Sequence, residues 1–546
     1  MSDSESEYEY ANLSESGSEE SDNYSSDSED SSEEDIAVDW KEISNVQPNP
    51  SPQRFPFVIT PGSTFLLVDN SDILAYFKLF FDDSVLDILV LETNRYAEQQ
   101  PSKSDSQWKH VDKNEIMIFL AINILQGLIK KPEERMYWST KEIWCTPVFP
   151  KLMNLRRYQS IKRNLHFCNN ETFDRNTHPN PKLYKIWPIY EIINNKCSSL
   201  YIPERDITID ESLMLYKGRL GWVQYIPLKR SRFGIKLFLL CESKSGYLFS
   251  SIIYTGKGTV ITDKYKDLPV TSQIVVSLLE PLLDQGYCLT TDNYYTSPQL
   301  ANFLISHKTD TYGTVRKNRK DVPKFIQNKK LKKGEIVAAR RGKVMIMKWQ
   351  DKRDICLLST VHNTEKATTN KTDKDDNVIS KPKVVIDYNE TMGGVDRLDQ
   401  HLHDYPITRK RGKKYYKKIF FHLLDISIWN AYVLYKKDGG EKQNLEFRSK
   451  LVESLIQNCH SDTNIKKSGR PKSCGILRLT ERHFPSFVPP TPKKEAPTRY
   501  CAVCCAKRDS KGKKKRKESR YMCNICNVGL CAAPCFEIYH TKENFE

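Results

Sequence analysis

The sequence predicts a multidomain α+β protein, with a helical domain flanking a mixed α/β sheet and a separate cysteine-rich module behind them. Three observations predict it. Residues 71 to 200 repeat apolar side chains at helical spacing, as in Ile73, Leu74, Phe77, Phe80 and Phe81 or Ile116, Phe119, Leu120, Ile122 and Ile124. From Arg205 the texture changes to the alternation of strands. Seven of the 15 cysteines crowd into residues 501 to 535, while the other eight are scattered singly, which suits a local metal site and not a disulfide framework.

At 546 residues the chain exceeds one ordinary hydrophobic core and divides into several domains. Residues 1 to 40 hold 15 of the 69 acidic residues and no Lys or Arg, so the rest carries 84 basic and 54 acidic residues, a net +30. A body this basic implies a polyanionic partner, nucleic acid first and an anionic membrane surface second. The most apolar run, Ile116 to Leu125, is too short for a hydrocarbon core that needs roughly 20 residues. With no secretory signal in the acidic N-terminus, the chain is expected to be intracellular.

Taken in order, residues 1–57 read as an acidic disordered tail, rich in Ser, Asp and Glu and closing in QPNPSPQRFPF. Residues 58–204 read as a helical domain, first part. Its segment Arg156 to Arg163 is either a basic helix facing DNA or an exposed charged face. Residues 205–405 read as a mixed α/β domain: RDITIDESLMLYKG, FGIKLFLLCES and YLFSSIIYTG make a three-stranded meander, and TSQIVVSLLEPLLDQGYCLTTDNYYTS a helix, a short buried strand and a turn. A basic insertion lies at about 316–385, with a polar, disordered-looking loop from Lys371 to Lys383. Residues 406–483 are helical again, 484–497 are a Pro-rich linker, and 498–541 are the cysteine module.

Four aspartates stand where phosphodiester chemistry wants them: Asp210 in the first strand, Asp292 just past a buried strand, and Asp396 and Asp399 after Gly393-Gly394. Carboxylates hold hard Mg²⁺, and two such ions roughly 3.5 to 4 Å apart serve in-line attack on a phosphodiester. Asp396 and Asp399, three apart, share one face if a helix begins at Val395. Each alone is more often a cap, a turn former or a solvated charge.

Together, TIDESLMLYKGR…QYIPLKRSRFGIKLF, TDNYYTS, GTVRKNR and MGGVDRLDQ resemble the piggyBac transposases in order and spacing, over about residues 70 to 541. The resemblance implies an RNase-H-like core with a catalytic triad on Asp210, Asp292 and Asp396, Asp399 as a fourth aspartate, and Mg²⁺ or Mn²⁺ as cofactor. It further implies double-stranded DNA as partner (terminal inverted repeats and a TTAA target), cutting through a hairpin intermediate, a homodimer on DNA and no membrane.

Three basic runs flank these blocks and are candidate phosphate contacts: Lys229, Arg230 and Arg232; Arg316, Lys317 and Arg319; Arg409, Lys410 and Arg411. Tyr415, after the last, stands where the family often has Trp and is expected to stack on an unpaired base or to pack against the following helix.

In the tail, Cys501, Cys504, Cys523, Cys526, Cys531, Cys535 and His540 have the spacing of zinc knuckles. Seven ligands exceed one Zn²⁺ and fall short of two. Either a second zinc takes Cys505, a water or a carboxylate, or one site is partial. The loop AKRDSKGKKKRKESR fits a DNA contact, a nuclear import signal or both, and nuclear localisation is expected. Two functions compete: an active transposase with its carboxylates intact, and a domesticated DNA-binding or chromatin protein that keeps the fold without using it.

Overall fold

The computed structural model describes residues 39–43, 50–100, 108–227, 232–259, 261–372, 376, 378–407, 412–459, 482–492, 494–507 and 515–542. The chain resolves into two compact units, residues 1–130 with 156–460 and residues 131–155 with 461–546. Among the described residues no helix is long and apolar enough to cross a membrane.

In the first unit, α1 (Ile73–Phe80), α2 (Asp83–Gln99) and α3 (Lys113–Leu128) each begin at an aspartate. Asp72, Asp82 and Asp112 accept first-turn backbone N–H groups that would otherwise lack a partner. Next come α4 (Leu155–Asn164) and α5 (Trp187–Ser199).

The sheet follows, with β1 (Asp206–Leu215), β2 (Phe233–Glu242) and β3 (Leu248–Ile253) as an antiparallel meander. After α6 (Val270–Leu279), β4 (Cys288–Thr291) lies parallel to β1. After α7 (Pro298–Ser306), β5 (Asp310–Thr314) lies parallel to β4. The resulting order β3-β2-β1-β4-β5 is that of an RNase-H-like core. Ile207 and Ile209 of β1 bury one sheet face with Ile274 and Leu278 of α6 and Leu300 and Leu304 of α7. Thr208 and Ser212 bond elements on the other face.

The segment read as a basic insertion continues this sheet. β6 (Ile336–Arg341), β7 (Val344–Gln350) and β8 (Asp354–Ser359) pair in series, and β8 pairs antiparallel with β5. The loop expected from Lys371 to Lys383 is corrected: Lys366–Thr372 and Val378–Pro382 pair as a hairpin, and Lys383 opens a helix. Thr368, Thr369, Val378 and Ile379 are β-branched, but they stand in adjacent pairs within a polar stretch and show no strand alternation.

The tail is corrected too, for the part described. Lys41 and Glu42 pair with Arg340 and Ala339 of β6, Ile43 is buried, and the Phe55 amide donates to Asp310 at 2.9 Å. Phe57 packs edge-on against Tyr287. These few aromatic and aliphatic side chains anchor the strap, while residues 1–38 and 44–49 lie outside the described residues.

The chain then runs through α8 (Lys383–Thr391) and α9 (Gly394–Asp404) to α10 (Tyr415–Lys437) and α11 (Asn444–Cys459). α10 packs on α1 and α5, and α11 on α3, so the early and late helices form one body. Asn430 of α10 joins that body to the sheet, exchanging bonds of 2.9 and 2.8 Å with the N–H and C=O of Leu248. Fully buried Arg448 donates to Asp425 at 3.4 Å, and Asp425 accepts the Ile407 N–H at 3.0 Å, fixing the chain where it leaves α9.

The N-terminal turn of α9 lies directly on β1. A Cβ at Gly394 would stand 2.5 Å from Thr208 Cγ2 and 3.1 Å from the Glu242 carbonyl oxygen. Ala would gain a little helix propensity at this first-turn position, but the overlap with a buried side chain outweighs it. Gly394→Ala is expected to destabilise the protein by about 1–2 kcal/mol, read as a lower denaturant midpoint at unchanged slope; an equal or higher midpoint would show that α9 is not held by this contact.

Candidate active site and metal centres

The parallel register sets Ile209 of β1 opposite Thr291 of β4, so Asp210 and the residue after β4, Asp292, emerge side by side where the two strands end their pairing. Asp292 is 8% exposed, and its carboxylate accepts the Tyr294 N–H at 3.0 Å, closing a turn that Thr296 reinforces by bonding the Asp292 carbonyl. Asp210 accepts the Glu211 N–H at 2.8 Å. α9 brings the other pair: Asp396 is exposed in its first turn, and Asp399, one turn on, accepts the Ser212 hydroxyl at 2.6 Å. The helix begins at Gly394, and the i, i+3 spacing puts both on the side that meets β1.

Three of the acids act on one buried hydroxyl. Tyr388 of α8 is buried, its hydroxyl 3.5 Å from that of Thr314, and its acidity is weakened first by burial and then by Asp292, Asp210 and Asp396 together. Asp292 is itself pushed up to about 6, by burial first and next by the charge of Glu211. α8 is pinned to the sheet beneath: Thr391 lies 2.9 Å from the hydroxyls of both Thr290 and Tyr312, and buried His362 bridges Ser359 and Asp387 at 2.8 Å each. Sequence reasoning missed Glu211, Tyr388 and Ser212. Glu211 and Ser212 sit within TIDES and carry no signal beyond their adjacency to Asp210.

The basic candidates divide. Arg319 donates to the carbonyls of Asn293 and Tyr294, so it holds the Asp292 turn from outside, and burial lowers its basicity. Arg316 is exposed and reaches Asn293 at 3.3 Å, while Lys317 and Arg232 are exposed. Lys229, Arg230, Arg409, Lys410 and Arg411 lie outside the described residues. Tyr415 is half-buried, bonding the Lys182 carbonyl at 3.0 Å and meeting Trp222 edge-on, so packing accounts for the ring.

In the second unit the cysteines sort into two sets of four ligand atoms, each within 4.8 Å of one another: Cys501, Cys504, Cys531 and Cys535, and His483, Cys523, Cys526 and His540. In the first, sulfur atoms stand 3.6 and 3.9 Å apart; in the second, His483 Nδ1 lies 3.4 and 3.6 Å from the two sulfurs, and His540 Nε2 lies 3.6 Å from Cys526. Zinc bonds of about 2.3 Å to sulfur and 2.0–2.1 Å to nitrogen give tetrahedral edges of about 3.8 Å (S···S) and 3.6 Å (S···N), so both sets fit the ion. His540 Nδ1–H donates to the Phe536 carbonyl at 2.7 Å, which leaves Nε2 as the ligand.

The eighth ligand is therefore His483, and Cys505, a water or a carboxylate is not required. His483 arrives because Pro485–Phe487 pairs with Tyr521–Cys523, Phe487 stacking on Tyr521 at 4.9 Å. This strand lies in the stretch expected to be linker. Its signal, a His two residues before a Pro, was too weak to find.

Comparison with known proteins agrees with this geometry. The family model described as "Transposase IS4" matches residues 73–432, and one described as "DDE_Tnp_1-like zinc finger" matches residues 490–541. The human protein "PiggyBac transposable element-derived protein 3" is 27% identical over 85% of this chain and 75% of its own length. The human "PiggyBac transposable element-derived protein 2" is 28% identical over 66% of this chain and 61% of its own. Among solved structures, a piggyBac transposase in a synaptic complex with hairpin DNA matches with a TM-score of 0.66 at 23% identity, over 87% of this chain and all of that one. Motif order, sheet topology and these matches agree: the chain belongs to the transposase family, as a piggyBac-like member.

Proposed function

We propose that the chain cuts and rejoins DNA strands at the carboxylate cluster, as a metal-dependent transposase that excises an element through hairpin ends and inserts it at TTAA. The observation that carries this reading is the register that sets Asp210 beside Asp292 where β1 and β4 end their pairing, with α9 seated on β1 and bringing Asp396 and Asp399. An all-oxygen donor set suits a hard dication, and burial and the Glu211 charge act against an uncompensated charge on Asp292. Mg²⁺ or Mn²⁺ bound there would activate the attacking water or 3′-hydroxyl and stabilise the leaving oxygen. Asp210, Asp292 and Asp396 would hold it; Ser212 orients Asp399; Arg319 keeps the Asp292 turn in place; exposed Arg316 offers a phosphate contact. The matched piggyBac complex is bound to DNA, which supports DNA as partner here. A homodimer on DNA and a nuclear location belong to the same proposal, as does Zn²⁺ at both ligand sets of the cysteine module.

Asn at Asp210, Asp292 or Asp396 should reduce cleavage of element ends at least about a thousandfold while leaving DNA binding within about twofold, because metal coordination is lost and phosphate contacts remain. Excision of a plasmid-borne element, paired with a binding assay, decides it. Wild-type cutting by any of the three removes that residue from the site; binding without cutting by the native chain favours the DNA-binding derivative instead.

The raised pKa of Asp292 has a sign that can be checked. The unfolded chain ionises near pH 4 and the folded one near 6, so metal-free stability falls as pH rises through that window and stays low above it. In EDTA at pH 7.5, Asp292→Asn should therefore be more stable than wild type by about 3 kcal/mol, a difference that vanishes near pH 3.5. Mg²⁺ should narrow it. Equal melting temperatures at pH 7.5 would show that Asp292 is not strained.

Full-length protein should release two zinc ions per chain to a chelator under mild denaturation. His483→Ala should release one with wild-type affinity and bind the other about 10- to 100-fold more weakly. Two equally tight ions in that variant would exclude His483 as a ligand.

A further inference from the structure

A cleft of about 640 Å³ opens in the first unit between α2 and the segment 167–188. Glu92 of α2 lines it at 8% exposure. One carboxylate oxygen accepts from Arg95 at 2.5 Å, whereas the other, Oε2, is buried and has no hydrogen-bond partner among the described residues. A buried carboxylate oxygen without a donor is unfavourable unless a guest supplies one. Cys168 does not fill that role well: a thiol is a weak donor, and burial with the nearby Glu92 charge pushes it up to about 11, so it stays neutral.

The same cleft carries an aromatic slab. Phe173 and Tyr184, both half-buried, stack with ring centroids 3.9 Å apart and planes at 21°. The Lys185 ammonium lies 5.3 Å from the Tyr184 ring and 5.7 Å from that of Tyr416. Tyr415, which follows the basic run 409–414, bonds the Lys182 carbonyl at 3.0 Å, so the wall of the cleft is tied to the basic start of α10. A planar apolar surface, an acceptor for N–H and a cation beside them make a recognition set for a nucleobase and its phosphate. A base in a duplex has its Watson–Crick N–H groups engaged and its faces covered, so it cannot stack on the slab.

We propose that this cleft receives one unpaired DNA base, stacked against Phe173 or Tyr184 and donating an N–H to Glu92 Oε2. The proposal rests on the DNA-handling reading above and adds a second place where the chain grips DNA.

The test is equilibrium binding by full-length protein in EDTA to three probes: a paired duplex, the same duplex with one bulged cytosine, and deoxycytidine 5′-monophosphate. Wild type should prefer the bulged duplex by about tenfold, the scale of one base–aromatic stack. Phe173→Leu and Glu92→Met should each bring the two duplexes within about threefold, with paired-duplex affinity and melting temperature kept. Equal affinity of wild type for the two duplexes, or a preference that survives in both variants, overturns the proposal. So does monophosphate binding as tight as the bulged duplex, which would make the cleft a nucleotide site. Failure to bind either duplex would instead remove the DNA-handling reading, and this proposal with it.

Discussion

The close contact between the first turn of α9 and β1 is the constraint on which the site depends. Two parallel strands can deliver two carboxylates side by side without help, because register alone sets Asp210 next to Asp292. The third comes from a helix almost two hundred residues away in the chain, and its position is only as good as the seating of that helix. Gly394 permits the approach, and Ser212 reaches across to Asp399. Gly246, in the turn between β2 and β3, completes the seat: its positive φ and the Gly394 carbonyl 3.0 Å from where a Cβ would stand leave no room for a side chain. α8, pinned through Thr391 and Asp387, aims the chain into this seat.

The seat holds groups that do not favour one another. Burial and Glu211 act against the charge on Asp292, and Tyr388 sits where three carboxylates act on its hydroxyl. Such local conflict is typical of functional sites, and the surrounding scaffold compensates with satisfied polar contacts. Arg319 illustrates the division: its charge is close enough to help the Asp292 turn, yet it is committed to two backbone carbonyls and not turned outward.

Much of this was legible in the residues. Alternating apolar positions mark β1 to β3 and amphipathic spacing marks the helix before β4, while the blocks around Asp210, Asp292 and Asp396 pointed to the site because each combines a carboxylate with distinctive neighbours. What was not legible depends on long-range pairing. Nothing local in Lys41 and Glu42 announces a partner at Arg340 and Ala339, and nothing in the polar stretch 366–382 distinguishes a hairpin from a loop. Tyr415 reads equally well as a stacking ring or a packed one until Trp222 and the Lys182 carbonyl are placed beside it. His483 was hidden for the same reason, since it stands 40 residues before its nearest fellow ligand, Cys523.

The two ligand sets of the cysteine module interleave along the chain. Cys523 and Cys526 fall between the two halves of the four-cysteine set, while His483 and His540 enclose that set entirely. Neither set is a contiguous piece of sequence, so the module has no smaller half that could fold, be shuffled or be lost by itself. A fragment cut at residue 490, where the family match begins, would discard a ligand of one set while sparing all four of the other. The unit that a genome could move intact therefore starts earlier, at or before His483.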